Sequence, residues 1–245
     1  MPLLQGIHGK SGEGKTFQLR YALDNAGVRA VLLSGGQLES SDAGEPGARV
    51  RDAYLEAGSF ISNGIPATVV LNDTDAAIGN WGELTQYTVN TQNVITELMH
   101  LCDYPTRVEG KQTPRVPIFL TGNDFTRLYA PLRRHGRMDL FRWEMSREER
   151  GQIMASLFPV LEPYEIGLLL DRRPDYSIAD WTAVGSRIGD HRLSEFLASE
   201  DLRMLLPRIL QGAILKGGNR SPGFGEILEA LDYMDQNKSV NLLSS

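Results

Sequence analysis

Residues 9–16, Gly9-Lys10-Ser11-Gly12-Glu13-Gly14-Lys15-Thr16, match the pattern G-x-x-x-x-G-K-[ST]. Glycines in such a loop let the backbone wrap with its N–H groups turned inward, and the N-terminus of the following helix adds positive potential. The chemistry is polyphosphate binding: Lys15 would reach the β- and γ-phosphates of a nucleotide, and the Thr16 hydroxyl would ligate Mg2+. The context agrees. An apolar run (3–8) precedes the loop, and an amphipathic segment carrying Phe17, Leu19, Ala22 and Leu23 follows it. Lys15 is expected in a solvated loop, where its removal opens no cavity.

Two more strand ends carry polar groups. Ala67-Thr68-Val69-Val70-Leu71 runs into Asn72-Asp73-Thr74-Asp75. Behind a phosphate loop, one carboxylate there can hold Mg2+ through water while another positions an attacking water. Taken alone, the junction reads equally as a turn, which Asp favours. The apolar run 116–120 leads to Thr121-Gly122-Asn123-Asp124. A polar side chain there can hydrogen-bond the γ-phosphate or the nucleophilic water, although Gly-Asn-Asp also makes a good turn. Basic residues are lopsided, with only five Lys in the chain, while seven Arg and no Lys fall between Arg127 and Arg150. The planar guanidinium fork suits phosphate and carboxylate better than an ammonium does. A solvated helical face rich in Arg is the plain alternative.

Bringing three such strand ends together requires a parallel sheet. Segments 3–8, 30–34, 68–71, 116–121 and 140–143 read as strands, alternating with helical periods at 16–26, 48–62 and 85–102. In the last of these, Val94, Ile95, Leu98 and Leu101 recur on one face. The alternation predicts an α/β domain whose mainly parallel five-stranded sheet is flanked by helices on both faces. After Ser146 only short helices are read, at 147–158, 164–171, 178–188, 192–197, 201–210 and 224–235, separated by Pro or Gly. The expected division is an α/β nucleotide-binding domain over 1–158 and a small all-helical domain over 159–245, with a frayed tail.

Composition excludes several classes. Lys+Arg 25 against Asp+Glu 31 gives a net charge of −6, and a pI near 5.3 argues against broad nucleic-acid binding. One cysteine excludes a disulfide framework, and the four scattered histidines have no metal-ligand spacing. Cys102 is expected in the core, and Trp143 and Trp181 as packing residues. The opening residues lack a basic region followed by an apolar stretch, and the longest apolar runs fall far below the roughly 20 residues needed to span a bilayer. The expectation is a soluble cytoplasmic protein without membrane contact.

Four blocks resemble the AAA+ module of the Rubisco activase family: GIHGKSGEGKTFQ (6–18), SGGQLESSDAGEPGARVRDAY (34–54), LNDTDAAIGNWGELTQYTVNTQNV (71–94) and RVPIFLTGNDFTRLYAPLRRHGRMDLFRW (115–143). The first marks any P-loop ATPase and the other three are specific to the family. The resemblance is close over residues 3–150 and faint beyond. It implies an AAA+ P-loop domain followed by a helical lid. ATP or ADP would be held by residues 9–16 with Phe17 and Asn72, and Mg2+ by Thr16 and Asp73. Asp73 would orient water, Asn72 would sit in the Mg2+ shell, and a division of labour with Asp75 stays open. Asn123 falls at sensor 1. Arg134 and Arg137 fall where arginine fingers reach the neighbouring subunit's nucleotide. Segments 38–46 and 77–87 match loops lining a central pore. The family's partners are copies of itself, in a homo-oligomeric ring that the resemblance makes a hexamer, and a protein target, Rubisco blocked by sugar phosphates. The compartment would be the cytoplasm, or the stroma of a plastid.

Departures from the family pattern are specific. The family's segment upstream of the P-loop, which covers the adenine, has no counterpart in the eight residues before Gly9. Asn80 replaces a pore-loop Arg, residues 103–115 are shorter than the family's loop, and Gly185 stands at the sensor-2 Arg position with Arg187 nearby. Two rival readings follow: an AAA+ loader or motor on nucleic acid, which needs a basic pore, and an ATP-binding regulatory subunit with little turnover.

Overall fold

The structure, a computed structural model, describes residues 1–38, 44–79, 89–199 and 220–241 of the 245-residue chain. It divides into two compact units, Met1–Glu144 and Met145–Ser245.

The first unit is built on a five-stranded sheet of β1 (Leu4–His8), β2 (Arg29–Leu33), β3 (Ala67–Leu71), β6 (Ile118–Gly122) and β7 (Met138–Arg142). The strand order is β2-β3-β6-β1-β7 and each neighbouring pair is parallel. All five residues of β3 are buried, as an interior parallel strand covered on both faces must be. On one face lie α2 (Glu45–Ser62), α3 (Thr74–Ile78) and α4 (Val89–Asp103), whose Val50, Ala53, Val94 and Leu98 share a core with Leu4, Val69, Ile118 and Leu120. On the other, α1 (Lys15–Asn25) sets Leu19 and Leu23 against Val70, Ile7 and Phe119. Tyr54 ties the first face together, its buried hydroxyl donating to the Pro105 carbonyl at 2.7 Å and accepting from the Val116 N–H at 3.1 Å. Both partners lie outside regular strands, so the phenol supplies bonds a ladder would otherwise provide. Cys102 packs against this core, and burial pushes its thiol up to about 11.

The expected strands are present within about two residues. A short antiparallel hairpin, β4 (Arg107–Val108) with β5 (Lys111–Gln112), and the five-residue α3 were not anticipated. The second unit contains α5 (Arg147–Leu157), α6 (Pro163–Arg172), α7 (Ile178–Ser199) and α8 (Phe224–Asn241) around Phe158, Trp181, Val184 and Leu231. Here the expectation of two helices either side of Gly189 is corrected: α7 runs through without a break. A single interior glycine costs only about 1 kcal/mol relative to alanine. Arg192, beyond it, grips Glu226 of α8 through Nε at 3.0 Å and Nη2 at 2.6 Å, anchoring the later turns. Arg187 lays its guanidinium over the Tyr233 ring, 3.9 Å from the centroid. The expected helix at 201–210 and most of the two candidate pore loops (39–43 of 38–46, and 80–87 of 77–87) lie outside the described residues. Among the described residues no helix is long and apolar enough to cross a membrane.

Candidate active site

Three adjacent strands, β3, β6 and β1, end side by side, and the crevice beyond their carboxyl ends is where open parallel sheets bind ligands. Residues 9–14 leave β1 and turn into α1, with Gly12 and Gly14 both at φ 75, in the left-handed region that favours glycine. Lys15 opens α1, but it is not solvated as expected: only 8% of it is exposed. Its ammonium donates to the carbonyls of Gly9 and Lys10, both at 2.8 Å, and to Asn123 Oδ1 at 3.0 Å. An ammonium has three protons, and each has an acceptor inside the chain. Burial holds its pKa below the ordinary lysine value, opposed by the negative charges of Asp75, Asp73 and Glu13.

A second cluster joins the three elements. Thr16 Oγ1 lies 3.4 Å from Asn72 Oδ1 and 3.3 Å from Thr121 Oγ1, and Thr121 donates to Asn72 at 3.1 Å. These are hard oxygens, joined at the next residue by the exposed carboxylate of Asp73, a donor set that suits Mg2+. Asp73 adopts φ 50, a left-handed conformation that Asp tolerates better than most residues. The two acids divide sharply. Asp75 is fully buried, and its Oδ2 accepts the backbone N–H groups of Asn123 and Asp124, both at 2.8 Å. It pins the turn that presents Asn123 to Lys15. A Cβ on Gly122 would come within 2.5 Å of Asp75 Oδ1, so only glycine fits there. His8, at the end of β1, stacks on Phe125 at 5.5 Å, and burial followed by the Arg142 charge holds its pKa below the usual histidine value.

Not every candidate converges on the crevice. The Phe17 ring is 70% exposed, on the side of α1 opposite the buried Leu19 and Leu23. Lys10, Ser11 and Gly14 are exposed, Gly9 and Gly12 half-buried, and Glu13 buried. Arg134 and Arg137 occupy the turn before β7, at the other end of the sheet. The register pairs Met138 with Leu4 and Arg142 with His8, so the phosphate loop begins where β7 ends. Arg137 is engaged: its Nη2 meets both carboxylate oxygens of Asp103, at 3.0 and 2.8 Å. Arg134 is exposed, and its side chain has no hydrogen bond or ion pair among the described residues.

Residues 6–146 match the family described as ATPase family associated with various cellular activities (AAA). The chain belongs to this AAA family. Among curated proteins it is 40% identical to the ribulose bisphosphate carboxylase/oxygenase activase of Anabaena over 245 residues, covering 96% of this chain and 59% of the relative. It is 40% identical to the chloroplastic activase of Chlamydomonas reinhardtii, covering 80% of this chain and 50% of that one. The chloroplastic activase of Arabidopsis thaliana is 38% identical, with 86% and 46% covered. The chain thus spans about half the length of these relatives.

Two contacts of this AAA domain differ in how far sequence pattern reaches them. Thr121, buried near the end of β6, joins the oxygen cluster from the polar strand end already visible in the sequence, but its partners Thr16 and Asn72 are not encoded there. The bond from the Trp143 indole to the Glu13 carbonyl, at 2.9 Å, links residues 130 apart, beyond any window of sequence pattern. The contrast between the acids yields a test. Asp73→Asn is expected to retain the backbone conformation, bind nucleotide normally and lower turnover by about 10²-fold or more. Asp75→Ala leaves two backbone N–H groups without their carboxylate and is expected to lower unfolding free energy by on the order of 3 kcal/mol. Urea melts and single-turnover hydrolysis on both variants check this, and a destabilised Asp73→Asn would contradict it.

Proposed function

We propose that this AAA domain hydrolyses MgATP between the subunits of a ring and couples hydrolysis to remodelling a partner protein, which by similarity to the activases is Rubisco carrying an inhibitory sugar phosphate. The observation that carries the ATPase part is the meeting of Lys15, Thr16, Asn72, Thr121 and Asn123 at three adjacent strand ends. In this reading the loop amides and Lys15 bind the β- and γ-phosphates, and Asn123 orients the terminal phosphate or the water. Thr16, Asn72 and Asp73 would hold Mg2+, which neutralises charge on the phosphates when bound. Asp73, exposed beside this set, takes the attacking water's proton or fixes its lone pair, and Asp75 keeps the Asn123 turn in place. Support for the remodelling part comes from the identity to the activases, with ring and target taken from that likeness.

The test is MgATP turnover across protein concentration, with and without inhibited Rubisco. Specific activity is expected to rise as subunits associate, and carboxylase activity to recover only with hydrolysable ATP. Turnover without recovery would retain the ATPase and reject the target. Salt-sensitive DNA binding would favour a nucleic-acid motor, and nucleotide binding without turnover a regulatory subunit.

A further inference from the structure

Trp143 touches the phosphate loop at both of its ends. It follows β7, the edge strand of the sheet, and its N–H donates to the His8 carbonyl at 2.7 Å, carrying the ladder one residue beyond the His8 and Arg142 pair. Its own carbonyl sits so near the loop's first residue that a Cβ on Gly9 would meet it at 2.2 Å. At the far end, the indole Nε1–H donates to the Glu13 carbonyl at 2.9 Å. Between these anchors run Lys10, Ser11 and Gly12, the first two exposed. A packing role would need only the ring. The bond to Glu13 needs the N–H, which indole supplies as a donor and phenylalanine lacks.

We propose that Trp143 is a positioning residue for the phosphate loop: it braces the two ends at a set span, so that the loop's amides stay aimed where a phosphate binds. The inference rests on the reading of residues 9–16 as the nucleotide site. Ordering each backbone residue costs conformational entropy, and a glycine-containing loop has more freedom to lose than most. A brace outside the ligand's footprint removes part of that cost before binding, which is preorganisation. Trp143 acts through the loop carbonyls and not on the phosphate, so its influence falls on affinity and not on the chemical step.

The test uses the full chain with Trp143→Phe, which keeps an aromatic ring, and Trp143→Leu, which does not. Three quantities are read: amide hydrogen exchange of residues 10–15 without added nucleotide, calorimetric affinity for ADP and MgATP, and kcat with KM. In Trp143→Phe, exchange across the loop is expected to quicken, affinity to weaken about tenfold, and kcat at saturating ATP to stay within about twofold. The parent supplies a measurement independent of any variant's folding: the Trp143 indole N–H, followed by nitrogen-labelled NMR, is expected to exchange slowly. Exchange at the rate of a free indole overturns the brace. A parent with no affinity for either nucleotide overturns the nucleotide site itself. If the parent binds and Trp143→Phe matches it in affinity and loop exchange, the brace fails while the site stands. A fall in kcat with KM unchanged would place Trp143 in the chemical step and reject the positioning role.

Discussion

Arg134→Ala is expected to bind ATP as the parent does and to lose about 10³-fold or more of its turnover. In one chain the arginine turn and the phosphate loop stand at opposite ends of β7, a strand of five residues, and therefore about 17 Å apart along it. That exceeds the length of an arginine side chain, so a loop phosphate met by Arg134 would have to belong to another copy of the chain. The side chain is also exposed and without a polar partner among the described residues, so truncation breaks no internal bond. Arg137 differs because its fork already holds Asp103. Arg137→Ala should cost turnover and, through a partly exposed pair, about 1 kcal/mol of stability. Mixing Arg134→Ala with an inactive phosphate-loop variant should restore activity, since some mixed interfaces join an intact loop to an intact arginine. Full-rate hydrolysis by a dilute, demonstrably monomeric sample would show that the arginines act within one chain, and the trans reading would fall.

The phosphate-loop variant for that mixture is Lys15→Ala, for which nucleotide affinity is expected to drop by about 10²-fold or more. The ammonium is the buried positive charge of the loop, Lys10 being exposed, and phosphate recognition depends on such charge-assisted bonds. Since Lys15 also joins Gly9, Lys10 and Asn123, its loss should loosen both the loop and the turn after β6. Desolvating the charge opposes folding, and its removal offsets the lost bonds, so the melting temperature should change little. Calorimetric titration with ADP decides it: parent-like affinity in Lys15→Ala would remove this residue from the site.

What the chain's pattern made legible was local. Five apolar runs, each closed by a polar or glycine residue, specified the strands, and the glycine-lysine-threonine motif specified the loop between β1 and α1. The roles of the two acids were not separable, because Asp73 and Asp75 share one junction and differ only in what they meet. Asp75 meets amides 48 and 49 residues away, which no periodicity encodes. The same holds for Arg137, whose partner lies 34 residues earlier, while Arg134, three residues away, has none among the described residues. Gly189 misled in the opposite sense: a local breaker was overridden by packing and by the grip of Arg192 on Glu226.

Under the proposed ATPase reading, Lys15 would also bear on how product is exchanged for substrate. A site that turns over must let phosphate depart, and a bare buried ammonium would make that departure costly. Here the chain supplies its own substitutes, two carbonyls and the Asn123 amide, so in the proposed ATPase release would be a ligand swap at the nitrogen. Incoming phosphate would have to outcompete those three acceptors, which would lower affinity and quicken exchange together. Because one of them sits at the end of β6, arrival and departure of phosphate in that reading would be registered one strand away from the loop, at the same turn that Asp75 holds.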